Sequence, residues 1–381
     1  FSMDLIAAYD EFIADIDAFA FTDELNAISN NQQFRIGLQP RWDYENGNTQ
    51  LKFQYINNER VFDNSFPSTF EGENVQLDLF NELELGTFAK AIYGLNVQKL
   101  KDNSAEVSND FTIADPYLSV VFDSEEGMNL HVGLRLNTHS DYENELLTTV
   151  NPSFLINLDG GSSLKPFLSI SNAYNTPSLF QLYTPFFGNA ELSPEKTNNY
   201  ELGTAFYSKK KLTVNLAFFR RDEQNAIDFI STFDDAGNFI GGSYFNIDGT
   251  RQVQGFETDL SWNTTEKLTF NANYSKLATN NDALFARIPK EKYGFSLSYL
   301  LDQTSTASLA YNYTGERLAS PFGTDTLASY GLLDLSLRKS FLNQKLSAFG
   351  AINNLLDEEF VGVVGFSTMG RNYAFGISYD F

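Results

Sequence analysis

The stretch NYAFGISYDF, residues 372–381, decides the reading of this sequence. Its odd positions, Tyr373, Phe375, Ile377, Tyr379 and Phe381, are apolar or aromatic. Its even positions, Asn372, Ala374, Gly376, Ser378 and Asp380, are small or polar. A period of two is the signature of a β-strand with one apolar face. The stretch ends on Phe381, where a water-soluble domain would ordinarily carry a polar, frayed terminus.

The same alternation recurs upstream. Leu268, Phe270, Ala272 and Tyr274 share a face opposite Thr269, Asn271, Asn273 and Ser275. Tyr293, Phe295, Leu297, Tyr299 and Leu301 oppose Gly294, Ser296 and Ser298. Leu130, Val132, Leu134 and Leu136 oppose His131, Gly133 and Arg135, and Ala307, Leu309, Tyr311 and Tyr313 oppose Ser308, Ala310 and Asn312. Short turn signals punctuate these runs at 44–48, 84–87, 124–127, 159–162, 208–211, 263–267, 301–304 and 342–345. Longer polar segments, such as 57–74, 222–239 and 314–326, alternate with them and read as loops. The rhythm of strand, long loop, strand and short turn predicts about eighteen strands.

Short turns at one end and long loops at the other are the asymmetry of an antiparallel transmembrane β-barrel. Only a closed barrel satisfies strand backbones within lipid. The polar face is rich in Ser, Asn and Gly, as suits a lumen. A soluble sandwich would show more Lys and Glu there, and a propeller would repeat a blade motif, which is absent.

Composition narrows the function. Asp and Glu number 49 against 26 Lys and Arg, a formal charge of -23, so nucleic acid is not expected as a partner. With no Cys, thiol catalysis, disulfides and thiolate metal sites are excluded. Only two His occur, His131 and His139; an isolated loop histidine with Asp141 and Glu143 nearby is a weak metal candidate. Carboxylate pairs lie in turns and loops without a common cleft, and no enzyme activity is expected.

Two segments carry a resemblance. In 171–203 the pattern is Pro177, Leu179, Leu182, Tyr183, Gly188, Asn189, Leu192, Pro194, Glu195, Tyr200, Glu201 and Gly203; in 352–381 it is Asn354, Leu355, Asp357, Phe360, Gly365, Phe366, Gly370, Arg371 and Phe381. Both resemble the TonB-dependent outer-membrane receptors. Asn175-Thr176 stands where that family commonly has Arg-Ala, Ala190 replaces its usual Pro, and Leu356 replaces Phe. Within the family, QGFE at 254–257, RIPK at 287–290 and the spacing from Gly365 to Tyr373 look closest to its cobalamin-transporting branch.

The resemblance implies a bacterial outer-membrane barrel of twenty-two strands with an N-terminal plug. Residues 1–381 are then expected to be a single barrel domain, its C-terminal portion, with about eighteen of those strands and no plug or TonB box. It implies active import of a scarce bulky nutrient, cobalamin-like or siderophore-like. The partners implied are the TonB complex, acting through the plug, the barrel-insertion machinery and outer-membrane lipid, with a monomer as the assembly. Tyr379 and Phe381 would form the insertion signal. Tyr174, Tyr183, Phe186 and Phe187 fall on the outer side and are candidate ligand contacts by stacking. The acidic stretch 10–26, read as a loop, offers Asp10, Asp15, Asp17 and Asp23 for calcium, the one cofactor the resemblance brings in. Haem is disfavoured, since no His lies between Tyr174 and Gly203. A passive porin-like channel and a soluble extracellular β-protein are the rival readings.

Overall fold

A computed structural model describes residues 1–17, 20–104, 108–209, 211–234, 239–321 and 323–380. In chain order its strands are β1 (Ser2–Asp15), β2 (Ile28–Tyr44), β3 (Gly47–Asp63), β4 (Ser68–Glu84), β5 (Ala89–Asp102), β6 (Asn109–Asp123), β7 (Met128–Asn137) and β8 (Glu145–Phe154). There follow β9 (Ile156–Asn157), β10 (Ser163–Asn175), β11 (Glu195–Ser208), β12 (Leu212–Gln224), β13 (Ile227–Phe233), β14 (Phe239–Asn246), β15 (Thr250–Asn263) and β16 (Leu268–Thr279). The last are β17 (Glu291–Asp302), β18 (Ser305–Thr314), β19 (Arg317–Leu318), β20 (Thr326–Leu327), β21 (Tyr330–Phe341), β22 (Leu346–Asn353) and β23 (Asn372–Tyr379). A short α-helix, α1 (Leu179–Tyr183), precedes β11. Among the described residues no helix is long and apolar enough to cross a membrane, a statement that concerns helices alone.

The chain forms two compact units: Phe1–Pro152 with Ser169–Tyr200 and Asp222–Arg251, and Ser153–Leu168 with Glu201–Arg221 and Gln252–Phe381. In the first, β1 to β7 run as a meander, each strand antiparallel to the next. In the second, β15, β16, β17, β18, β21, β22 and β23 do the same.

All eight short turns fall where the sequence places them. Two residues join β2 to β3, and two join β17 to β18. Gly86 and Gly127 sit at φ of +78° and +93° inside their turns, a region open to glycine without steric cost.

Register pairs like with like. Phe295 faces Ala272 on one side and Tyr311 on the other, and Leu297 faces Phe270 and Leu309. One step along, Ser296 faces Asn271, and Ser298 faces Thr269 and Ser308. On β23, Tyr373, Phe375, Ile377 and Tyr379 oppose Ile352, Gly350, Ala348 and Leu346.

The distribution of burial inverts that of a soluble protein. Along β17 the apolar residues Phe295, Leu297, Tyr299 and Leu301 are exposed, while Gly294 is buried. Phe375 on β23 is 89 % exposed. Strand positions that are buried include Asn48, Gln50, Asn96, Asp115, Thr197 and Glu223. Buried apolar side chains concentrate instead in the connections, among them Leu179, Leu182, Leu192, Ala226, Ile247 and Ala319. Strands that turn their apolar face outward are built for a surrounding of hydrocarbon.

Three loop assignments change. Segment 57–74 is mostly strand: Asn57 to Phe62 pair in register with Ser68 to Glu73, leaving only residues 64–67 as the connection. Ladder hydrogen bonds need no apolar side chains, so a strand can continue where alternation has stopped. Segment 222–239 contains β13, which pairs with β14 as a separate hairpin. Segment 314–326 contains β19, tied to β20 by two residue pairs.

Candidate functional site

The segment 171–203 folds as a tightly hydrogen-bonded loop around α1. Ser178 caps the helix reciprocally: Gln181 N donates to Ser178 Oγ (3.2 Å), and Ser178 N donates to Gln181 Oε1 (2.9 Å). This is the capping-box arrangement, which satisfies donors that a helix start would otherwise leave free. Leu179, Leu182 and Pro177 are buried beneath it.

The hairpin β13–β14 is bonded to the same segment. Asn189 Nδ2 donates to Tyr244 O (2.9 Å), and Tyr244 N donates to Phe187 O (3.2 Å). Asn246 binds Ser193 in both directions, accepting from Ser193 N (2.8 Å) and donating to Ser193 O (2.9 Å). The side chains of Asn189 in the loop and Asn246 on β14 therefore act as clamps, each on the backbone of the other's segment.

This framework sets six rings in a row. Phe62 meets Phe70 (5.9 Å between centroids), Phe70 meets Phe180 (5.6 Å), and Phe180 meets Tyr244 (6.3 Å). Tyr244 meets Phe229 (5.1 Å), and Phe229 meets Phe187 (5.9 Å). All these contacts are edge-on, the geometry ring quadrupoles favour. Phe180 remains 39 % exposed, so the row offers apolar surface to a bulky molecule.

A second aromatic group adjoins the loop 138–144. His139 packs between Phe111 (4.5 Å) and Tyr142 (4.9 Å). Tyr142 donates its phenol to Leu192 O (3.1 Å), and burial pushes that phenol up to about 12, with Tyr183, Asp141 and Tyr174 adding to the effect. His139 Nδ1 accepts from Asp141 N (3.1 Å), and burial lowers the imidazole's proton affinity against the pull of Asp141 and Asp115. The ring is thus a neutral packing element whose Nδ1 is already occupied.

The four candidate ligand residues divide. Phe187 belongs to the ring row. Tyr183 lies beside Tyr142, half-exposed at 39 %. Tyr174 lies under Lys196 (Nζ to centroid 5.8 Å), with its hydroxyl donating to Glu143 O (3.4 Å). Phe186, at φ +70°, is 96 % exposed and belongs to no ring pair among the described residues. Sequence reading missed Phe62, Phe70, Phe180, Phe229 and Tyr244; they lie in or beside quoted segments, but nothing local shows that they meet.

The acidic stretch is not the loop it resembles. Asp10, Glu11 and Asp15 stand on β1, and Asp10 accepts an ion pair from Arg35 (2.9 Å). Strand pairing continues down to Asp15 because its partner strand β2 reaches Ile28. Asp17 and Asp23 follow the strand, and among the described residues no group of three or more His, Asp or Glu could hold a metal. Tyr379 pairs across from Leu346 at the end of β23; Phe381 lies outside the described residues.

One cluster imitates hydrolytic machinery. Ser119 Oγ lies 2.5 Å from His131 Nε2, and Asn151 Nδ2 lies 3.2 Å from His131 Nδ1. Ser169 donates to Asn151 Oδ1 (2.7 Å), which fixes the amide so that its nitrogen faces the histidine. Nδ1 must then accept, and Nε2 carries the proton. A base for Ser119 would need that nitrogen free, so the geometry is that of a polar network, not of an activated serine.

The family model for TonB dependent receptor-like β-barrels matches residues 7–355. The chain belongs to this family. As a TonB-dependent receptor barrel it is an outer-membrane protein, and its outward apolar faces meet lipid. Its curated relatives include vitamin B12 transporter BtuB of Vibrio cholerae serotype O1, 26 % identical over 353 residues, covering 90 % of this chain and 52 % of the relative. The chain therefore spans about half the length of the curated relatives it matches. Among solved structures, copper transporter OprC superposes with a TM-score of 0.77 at 14 % identity, covering 93 % of this chain and 66 % of that one. The ferric enterobactin receptor PfeA of Pseudomonas aeruginosa gives 0.74 at 16 % identity, with coverages of 93 % and 62 %. The siderophore receptor PirA of the same organism gives 0.72 at 21 % identity, with coverages of 93 % and 63 %. At these identities the solved structures establish a shared fold.

Proposed function

We propose that the protein is the barrel of a TonB-dependent transporter that captures a scarce bulky nutrient, cobalamin-like or siderophore-like, on its long loops. The carrying observation is the ring row from Phe62 to Phe187, held by Asn189 and Asn246 on the long-loop side of a receptor-family barrel. Apolar rings fixed by backbone clamps present area to a large ligand with little ordering cost. The vitamin B12 transporter relatives favour a corrinoid cargo. Energy would come from TonB acting on a plug, the ligand-gated part of such a receptor, and no covalent chemistry is required of these residues.

The test is uptake by the intact protein in an outer membrane lacking other corrinoid and siderophore receptors. Labelled cyanocobalamin and a panel of ferric siderophores are supplied with and without functional TonB. TonB-dependent accumulation of one of them, reduced about tenfold by Phe180→Ala, is the expected result. Equal entry of small solutes irrespective of TonB would instead establish a passive channel.

A further inference from the structure

One short turn departs from the charge of the others. Five of the eight carry Asp or Glu and no Lys or Arg: 44–48, 84–87, 124–127, 159–162 and 301–304. Turn 263–267 has one charge of each sign, and 342–345 has Lys345 alone. The turn from β11 to β12 instead reads Ser208-Lys209-Lys210-Lys211, three positive charges in succession in a chain of formal charge -23.

Lys209 and Lys211 lie among the described residues, and both are exposed. Lys211 N donates to Ser208 O (3.0 Å), and Lys211 O accepts from Asn263 N (3.1 Å), so the turn is tied to the end of β15. The Lys209 side chain lies across Gly161 of the turn 159–162, in the space a Cβ there would need. Neither ammonium reaches a carboxylate among the described residues, whereas Lys290 and Lys339 of the same unit each hold one. Beside the turn stands an indole. Trp262, next to Asn263, pairs across from Phe270, which faces Leu297, and is 42 % exposed. The two lysines therefore border the lipid-facing side of the strands at their short-turn end. In outer-membrane barrels that end is periplasmic, and an indole at headgroup level is a usual mark of the membrane interface.

We infer that Lys209, Lys211 and Trp262 form a docking site for the headgroup of an acidic phospholipid in the periplasmic leaflet. The phosphodiester accepts from the two ammonium groups, and the acyl chains run down the face that carries Trp262 and Phe270. A zwitterionic phospholipid brings an ammonium of its own, which the lysines repel, so the site selects net negative charge. The attraction is between exposed charges and weakens with salt. It does not depend on which nutrient the ring row captures.

The chain has two tryptophans, which supply a reporter and its control. Trp42, 43 % exposed, shares a face of β2 with Ile36 and Leu38 and adjoins the turn 44–48, whose one charge is Glu45. The test uses the intact protein folded into phosphatidylcholine vesicles, with brominated phosphatidylglycerol or brominated phosphatidylcholine added at equal mole fraction. Bromine quenches an indole it touches. Trp42→Phe leaves Trp262 as the emitter, and Trp262→Phe leaves Trp42. Heat-modifiable electrophoretic mobility reads barrel folding. Phosphatidylglycerol should be preferred at Trp262 by about fivefold, the effect of roughly one lysine at a charged membrane surface. The preference should fall towards unity in high salt and in the Lys209→Gln/Lys211→Gln double variant, and should be absent at Trp42. Equal quenching by the two lipids at Trp262, the same preference at Trp42, or a preference undiminished in the folded double variant would each overturn the proposal. Soluble peptidoglycan fragments that shift Trp262 emission through the same lysines, with no lipid preference, would overturn it in favour of the cell-wall polymer.

Discussion

Asn189 and Tyr244, 55 residues apart in sequence, are joined by a 2.9 Å hydrogen bond from the Asn189 amide to the Tyr244 carbonyl. The same side chain accepts from Glu191 N at 2.9 Å, so one amide both shapes its own loop and holds the neighbouring hairpin. Asn189→Asp keeps the acceptor and loses the donor. It should loosen β13–β14 by about 1–2 kcal/mol without unfolding the barrel. Hydrogen exchange at the amides of 227–233 and 240–246 would show the loss of protection, with exchange in β16 to β18 unchanged.

Leu297 and Ser296 sit side by side on β17 and face opposite ways. Leu297→Arg places a charge on the lipid-facing side and should cost about 1–4 kcal/mol, rising with depth in the bilayer. Ser296→Arg, on the polar side, should cost far less. Urea titration of the two variants folded in lipid vesicles checks the difference.

Tyr142 has a phenol raised to about 12 by burial, above its ordinary value of 10. Its folded value is raised, so its contribution is fully present below about pH 10 and is lost as pH climbs through about 12. Ultraviolet titration of the folded protein should show fewer tyrosines ionising near pH 10 than in the unfolded chain, Tyr142 among those withheld. Tyr142→Phe should reduce that difference by one tyrosine and weaken the 138–144 loop by about 1 kcal/mol through the lost bond to Leu192.

Asp282 is held below the usual carboxylate range by donation from Lys290 first and Thr279 second. Its folded value is depressed, so the stabilisation is present above the ordinary carboxylate value and disappears as pH falls through the lower folded one. Proteolytic nicking of the connection 280–290 should stay slow near neutrality and rise only in strong acid. Lys290→Met should move that rise to higher pH.

Much of the architecture was legible because lipid imposes a simple code. Alternation marks every strand portion that crosses hydrocarbon, and the short turns carry strong local signals, which is why all eight were readable. The code falls silent where water begins. The outer part of β3, from Asn57 to Asp63, and the first residues of β4 continue as strand with polar residues on both faces, so no periodicity announces them. Asp10 and Asp15 read as loop residues for another reason: Phe12 and Ile13 are adjacent, which breaks the alternation that marks a strand. Loop interiors are harder still. Phe180 and Tyr244 meet only after Asn189 and Asn246 have folded one segment onto another, and Arg317 reads as an ordinary loop arginine until Val361 and Gly362 close over it.

The like-with-like register has a consequence for assembly. Were β17 to shift by one residue against β16, Leu297 would face Asn271 or Thr269 instead of Phe270, and a whole ladder of side chains would exchange oil for water. Neighbouring registers are thus forbidden as a set, and the bilayer itself proofreads the alignment. An error of two residues keeps the faces correct and escapes that check. Guarding against it falls to the eight short turns, whose fixed length admits one closure apiece.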